Sequence, residues 1–296
     1  MINMVAVRSW PRLRAATRRC SLLLLGTGLA LHAAAPAILR RAFRVNRVRH
    51  DEGLPGDTIW IQGRRGKRLA ARYLLPTHGD PQGVVLVMHG WSSSSRDMLE
   101  AAGSLNRAGF GALLVDARCH GDSDDDDLAS MPRFAEDIES ALHWLEHHRG
   151  VNPRNVVLLG HSVGAGAALL AARGYRVAGV IAVACMAHPR EMMQASMARA
   201  GIPRPLVRYV LWRVQRILGQ RFDDFAPVNT IRDISCPVLI VHGDEDTTVP
   251  LSDAHRLERV AGDRARLLVV RGADHRSREA FLQHATEITA FVRSCY

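Results

Sequence analysis

Residues 155–172 read NVVLLGHSVGAGAALLAA. The branched apolar run Val156 to Leu159 passes directly into Gly160-His161-Ser162-Val163-Gly164, and that into a stretch of alanines. An unbroken Val/Leu run suits a strand covered on both faces, and a small-residue run suits a helix lying close to a sheet. A serine between them predicts a sharp, strained strand-to-helix turn that lifts its hydroxyl out of the sheet. Gly160 and Gly164 remove the Cβ atoms that would collide where strand and helix cross. An ordinary solvated turn would not need Ala165, Gly166, Ala167 and Ala168 behind it as well.

Outward from this stretch the same alternation recurs. Strands are expected at DTIWIQ (57–62), RLAARYLL (68–75), GVVLVMH (83–89), GALLVD (111–116), NVVLLG (155–160), RVAGVIAVA (176–184), PVLIVHG (237–243) and RLLVVRG (266–272). Helix-length segments fall at 95–108, 131–149, 163–173, 251–261 and 277–293. Strand–helix alternation predicts an α/β fold with a doubly wound, mostly parallel sheet, its first two strands forming an antiparallel edge. Residues 186–230 break the rhythm with helical patterns and prolines but no strand, as a small helical cap would. Two plain crossover helices are the alternative there.

A strained serine needs a base for its proton and donors for the oxyanion. PVLIVHGDEDTTVP places Asp244, Glu245 and Asp246 in the loop after a strand, and LLVVRGADHRS delivers His275 after the next. The order Ser162, Asp246, His275 is the one used by hydrolases with this kind of turn. Asp246 is the preferred orienter of the histidine, with Asp244 as the alternative. Val163, following the serine, is one candidate N–H donor to the oxyanion; Trp91, after the strand that ends in His89-Gly90, is the other. The Trp91 side chain either walls an acyl pocket or simply packs.

These residues together give the chain its resemblance. HGW (89–91), DARCHGDS (116–123), GHSVG (160–164), HGDEDTTVP (242–250) and GADH (272–275) occur in the order found in the α/β-hydrolase superfamily. The chain is similar to its capped serine-hydrolase branch, which contains monoglyceride lipases and serine-aminopeptidase-like hydrolases. The resemblance covers about residue 57 to the C-terminus. It implies Ser162 as nucleophile, His275 as general base, Asp246 as its orienter, and backbone N–H groups of Trp91 and Val163 as the oxyanion hole. It implies no metal and no organic cofactor. One departure is Cys119, where relatives often have glycine, and this puts the local loop geometry in question. Asp116 is expected to brace that turn, and Asp124 to Asp127 to form a solvated loop.

The expected reaction is two-step acyl transfer to water, cleaving an ester, thioester or small amide. Acyl transfer to another acceptor, and a non-catalytic binding protein on the same scaffold, are the alternatives. The apolar cap residues Met186, Met192, Met193, Leu206, Val207, Val210, Leu211, Trp212 and Ile217 point to a partly apolar, lipid-like acyl substrate.

The formal net charge of +10 does not mark a nucleic-acid binder. Residues 1–50 hold ten arginines and no acid, which accounts for the whole excess; the rest of the chain is balanced. Between the arginine clusters, CSLLLLGTGLALHAAAPAIL (20–39) contains no Asp, Glu, Lys or Arg, and at about 1.5 Å per residue it would span about 30 Å. The expected organisation is therefore a basic segment (1–19), a single-pass anchor (20–39), a basic linker (40–56) and the α/β domain (57–296). A cleaved export signal and a buried or interfacial helix are the alternatives for 20–39. Five arginines on each side leave the orientation undetermined. Five scattered cysteines, without a CxxC pair, read as small buried hydrophobes.

Overall fold

The computed structural model describes residues 33, 37, 45–47, 54–277 and 283–296. The basic segment at 1–19 and, except for Ala33 and Ala37, the expected anchor at 20–39 lie outside them, as do most of the linker and residues 278–282 of the helix expected at 277–293. Among the described residues no helix is long and apolar enough to cross a membrane. Residues 44–296 group as one compact unit.

That unit is built on an eight-stranded sheet: β1 (Thr58–Gln62), β2 (Arg68–Leu74), β3 (Val84–Met88), β4 (Gly111–Val115), β5 (Val156–His161), β6 (Gly179–Val183), β7 (Val238–Gly243) and β8 (Ala265–Val270). Their order is β1-β2-β4-β3-β5-β6-β7-β8. β2 runs antiparallel to both β1 and β4, and every later pairing is parallel. The expected doubly wound sheet with an antiparallel edge is thus present. β3, β4 and β7 are buried along their whole length, as strands covered by helices on both faces must be.

The helices are α1 (Leu99–Arg107), α2 (Met131–Arg149), α3 (Val163–Gly174), α4 (Pro189–Arg199), α5 (Arg204–Leu218), α6 (Phe222–Phe225), α7 (Pro227–Thr230), α8 (Leu251–Ala261) and α9 (Ala285–Ser294). On one face, Val85, Val87, Leu114, Leu159, Ile181, Leu239 and Val241 pack with Leu105 of α1 and Ile288 and Val292 of α9. α2 starts where the Ser130 hydroxyl accepts the Arg133 N–H, with Pro132 in its first turn, and ends at Gly150 with φ 65°. It presses closely on α3: a Cβ on Gly166 would stand 2.7 Å from the Met131 sulfur. The small residues expected behind the serine serve this contact.

Between β6 and β7 stand α4 to α7, so residues 186–230 are helical without a strand, as expected. At the start of this segment the Ala187 N–H donates to Asp253 of α8, and His188 Nε2 lies 3.0 Å from Asp223 near its end. α4 also reaches the sheet's carboxyl edge: Arg199 donates to the Thr247 carbonyl at 3.1 Å. Met186 is buried behind β6, whereas Leu206 and Trp212 face outward. The last two therefore do not belong to an apolar acyl lining, contrary to expectation; on α5 the inward side is carried by Val207, Leu211 and Val214.

The loop after β4 departs from expectation in a second way. Asp124 to Asp127 are not merely solvated, because each meets an arginine, that of Asp124 and Asp125 from far off in the sequence. Asp124 takes Arg68, Asp125 takes Arg47 at 2.8 Å, Asp126 takes Arg118 and Arg133, and Asp127 takes Arg133 at 3.1 Å. Arg118, 1% exposed, also binds Asp137 at 2.7 Å and Glu136 at 2.6 Å. Arg47, in the stretch expected to be a linker, further donates to the carbonyls of Cys119 and Ser123. Asp116 does brace the turn: its carboxylate accepts the N–H groups of Ser95 and Asp122. Cys119 holds φ 66°, a left-handed conformation that favours glycine, and its sulfur accepts the Asp126 N–H at 3.2 Å. Cys185 and Cys236 are buried and Cys119 and Cys295 half-buried, all four unbridged, while Cys20 lies outside the described residues.

Candidate active site

Parallel strands deliver their carboxyl ends to one edge, so the loops after β3, β5, β7 and β8 are neighbours there. Ser162 sits between β5 and α3 with φ 54° and ψ −114°, a strained conformation for a residue with a side chain. The crossing allows nothing larger than glycine on either side. A Cβ on Gly160 would collide with the Gly164 carbonyl, and one on Gly164 with the Met88 and His89 carbonyls after β3.

The three side chains expected to work together meet. Ser162 Oγ lies 3.1 Å from His275 Nε2, and His275 Nδ1 lies 2.7 Å from Asp246 Oδ2. The second Asp246 oxygen accepts the N–H groups of Thr248 and Val249, both at 2.8 Å. Burial pushes the Asp246 carboxyl up, but its hydrogen bonds with His275 and Val249 outweigh that and hold it below the usual carboxylate range. A carboxylate with both oxygens engaged must take the His275 Nδ1 proton as acceptor, which leaves Nε2 free to accept from the serine. Asp244, the alternative orienter, is exposed and accepts the Gly272 N–H instead.

Two neighbouring histidines are positioned in ways that the motifs did not reveal. His161 Nε2 donates to the His275 carbonyl at 2.9 Å, and the two rings lie 5.2 Å apart. Burial, with the His275 charge adding to it, lowers the His161 imidazole to about 4, so it stays a neutral donor near pH 7. His89 Nε2 accepts the Ala117 N–H at 3.0 Å, which puts its proton on Nδ1; Nδ1 then donates to the Gly90 carbonyl at 2.7 Å. In a trans peptide the C=O and the following N–H point in opposite directions. Holding the Gly90 carbonyl therefore turns the Trp91 N–H away from the His89 ring. Gly90 lies hard against the serine turn: a Cβ there would stand 2.9 Å from His161 Nδ1 and 3.4 Å from Ser162 Cβ.

Val163, the second expected donor, is the first residue of α3, where N–H groups lack intrahelical acceptors. The Trp91 ring rests edge-on against His120 at 5.8 Å, a packing contact. Behind the Asp246 loop, His242 Nε2 donates to the Val249 carbonyl at 2.9 Å and approaches Asp246 Oδ2 at 3.6 Å. The pattern HGD (242–244) contained that histidine, but nothing in the spacing assigned it a partner.

A family model described as serine aminopeptidase, S33, matches residues 79–223, and the fold around the site is the one that superfamily shares. Together with the fold, this match supports a member of the α/β-hydrolase superfamily. This α/β-hydrolase is 28% identical over 224 residues to an uncharacterised protein of Mycobacterium tuberculosis, covering 76% of this chain and 74% of that one. It is 30% identical over 156 residues to α/β hydrolase domain-containing protein 17C of Xenopus tropicalis, which is 53% of this chain and 44% of the relative. Among solved structures, the esterase Pf2001 of Pyrococcus furiosus superposes with a TM-score of 0.67 at 18% identity, covering 85% of this chain and 98% of its own. Est1E of Butyrivibrio proteoclasticus, with ferulic acid bound, gives 0.63 at 21% identity, covering 80% and 98%. The family match supports hydrolase activity in general terms for this α/β-hydrolase.

Proposed function

We propose that the protein is a serine hydrolase that cleaves an ester, thioester or small amide through an acyl-enzyme on Ser162. The observation that carries this reading is the unbroken relay from Ser162 Oγ through His275 to Asp246, at 3.1 and 2.7 Å. Ser162 Oγ attacks the acyl carbonyl while His275 Nε2 takes its proton, and Asp246 offsets the imidazolium charge. The N–H groups of Trp91 and Val163 receive the oxyanion. Collapse breaks the bond to the leaving alcohol, thiol or amine, which departs with the proton from His275. Water, deprotonated by the same imidazole, then attacks the acyl-enzyme and releases the acid, restoring the serine.

The apolar segment at 20–39, flanked by arginines, supports a single-pass anchor at a membrane, and hence a lipid-like acyl substrate. Labelling with a fluorophosphonate probe tests the catalytic reading. Native protein is expected to label and Ser162→Ala not to. Equal labelling of both removes Ser162 as the nucleophile, and absence of labelling from the native protein removes the hydrolase reading.

A further inference from the structure

The cap carries a face that the chemistry at Ser162 does not use. α5 buries one side through Val207, Leu211 and Val214. At 100° per residue the opposite side presents Pro205, Leu206, Tyr209 and Trp212 interleaved with Arg208, Arg213 and Arg216. Leu206 is 50% exposed and Trp212 42% exposed, two of the few large apolar side chains left in water among the described residues. The guanidinium groups of Arg213 and Arg216 lie 5.7 and 5.4 Å from the centre of the Trp212 ring, and Tyr209 lies 6.0 Å from it. The mixture is therefore one continuous patch.

Its charge is one-sided. Residues 189–218 hold six arginines and a single acid, Glu191, whereas residues 51–296 taken together are balanced. Elsewhere Arg47, Arg64, Arg68, Arg118 and Arg133 find carboxylates, and Arg72 and Arg264 donate to backbone carbonyls. Among the described residues, Arg204, Arg208 and Arg216 make no ion pair with a carboxylate. An ordinary solvated helix face alternates acids with bases and keeps tryptophan and leucine inside. Tryptophan and leucine side chains beside Arg208 and Arg216 suit the boundary of a bilayer, where rings sit at headgroup depth and guanidinium groups meet phosphate.

We infer that the outward face of α5 docks on the surface of an anionic lipid bilayer, with Leu206 and Trp212 entering the headgroup layer and Arg208 and Arg216 on lipid phosphates. This does not depend on the acyl-transfer reading. It concerns α5 itself, and Arg199 of α4 links the same cap to the Asp246 loop through Thr247.

The test uses the full chain in vesicles of phosphatidylcholine alone or with about 30% phosphatidylglycerol, and reads Trp212 by itself. The Trp212 emission is taken as wild type minus Trp212→Phe, and bromine-labelled lipid is the quencher; insertion by residues 20–39 cannot produce that signal. The Trp212 component is expected to shift to the blue and be quenched in the anionic vesicles. Arg208→Glu with Arg216→Glu is expected to weaken that quenching at least tenfold in lipid concentration, with the rate on a soluble short-chain ester unchanged. An unquenched Trp212 in anionic vesicles overturns the inference. So does quenching of equal strength in neutral vesicles or in the double variant. Trp212 emission that shifts with protein concentration in the absence of lipid would instead assign the face to a second copy of the chain. Loss of soluble-ester activity in wild type would count against the hydrolase reading alone.

Discussion

The imidazole of His161 donates from Nε2 to the backbone carbonyl of His275 at 2.9 Å. The residue before the serine thus holds the loop that brings the base to it. His161→Ala removes this bond and the ring against which His275 rests. A displacement of about 1 Å in a reacting group can cost about 100-fold. The expected result is a fall in kcat of about 10- to 100-fold with little change in KM. His161→Gln, which keeps a donor, should restore part of it. An unchanged kcat in His161→Ala would show that the His275 loop is held by other contacts.

His89 acts one peptide further away, on the oxyanion side. Its Nδ1–H fixes the Gly90 carbonyl, and so the direction of the Trp91 N–H. Loss of one oxyanion donor costs about 3 kcal/mol, so His89→Ala should approach a 100-fold loss of kcat. The rate of fluorophosphonate labelling should fall with it, because the same N–H meets the phosphonyl oxygen. Retention of both rates would detach the His89 bond from the orientation of Trp91.

The strain at Ser162 should offset the stability lost with its side chain, although activity is abolished. A side chain at φ 54° costs of order 1–3 kcal/mol, whereas glycine occupies such angles freely. Ser162→Gly also loses the hydrogen bond to His275 and gains freedom in the unfolded chain, each worth about 1 kcal/mol. The net expectation is an inactive protein whose stability lies within about 1 kcal/mol of wild type. Differential scanning calorimetry measures it; a loss well beyond about 1 kcal/mol would mean that the turn is not strained by its side chain.

Arg118 anchors the loop after β4 with Asp126, Glu136 and Asp137, and neither it nor Asp137 reaches solvent. Removing one partner of a buried pair leaves an uncompensated charge, at about 3–5 kcal/mol. Arg118→Met is expected to lose about that much in urea denaturation. Arg118→Met with Asp137→Leu should recover most of it, since the stranded carboxylate is gone. If the double variant is no better than the single one, the cost lies in the bonds to Asp126 and the Arg133 carbonyl.

The eight strands and the convergence of Ser162, Asp246 and His275 were legible because each rests on a local signal. A buried strand must be an unbroken apolar run, a crossing must be glycine, and a loop after a parallel strand must open at the carboxyl edge. Partners distant in sequence leave no such trace. Nothing near Asp124 names Arg68, and nothing near Asp125 names Arg47, so the acidic run read as solvated. The same holds for Leu206 and Trp212. Their helical spacing is equally that of a packed stripe, and only the position of Val207, Leu211 and Val214 decides which side of α5 faces inward. Cys119 lies between these cases: its place in the DARCHGDS element marked a glycine-like turn, and its φ of 66° bears that out.

Two histidines, His120 and His161, make stability depend on acid. Burial, aided by the His89 charge, lowers His120 to about 3, and its Nε2 has no hydrogen-bond partner among the described residues. His161 is lowered to about 4, again mainly by burial. In the unfolded chain both titrate near 6.5, so between these limits the unfolded state binds more protons. Their contribution to stability is therefore complete above about pH 6.5 and is lost as pH falls toward 4 and then 3. Each group steepens the loss by up to about 1.4 kcal/mol per pH unit within its window. Asp246, held low in the fold, adds its own loss below about pH 4. Unfolding midpoints in urea should thus be level from pH 8 to 7 and fall progressively from pH 6 to 4. His120→Gln, which cannot be charged, should fall less steeply over that range than wild type does. Parallel profiles for the two proteins would mean that His120 is already accessible to protons in the folded state.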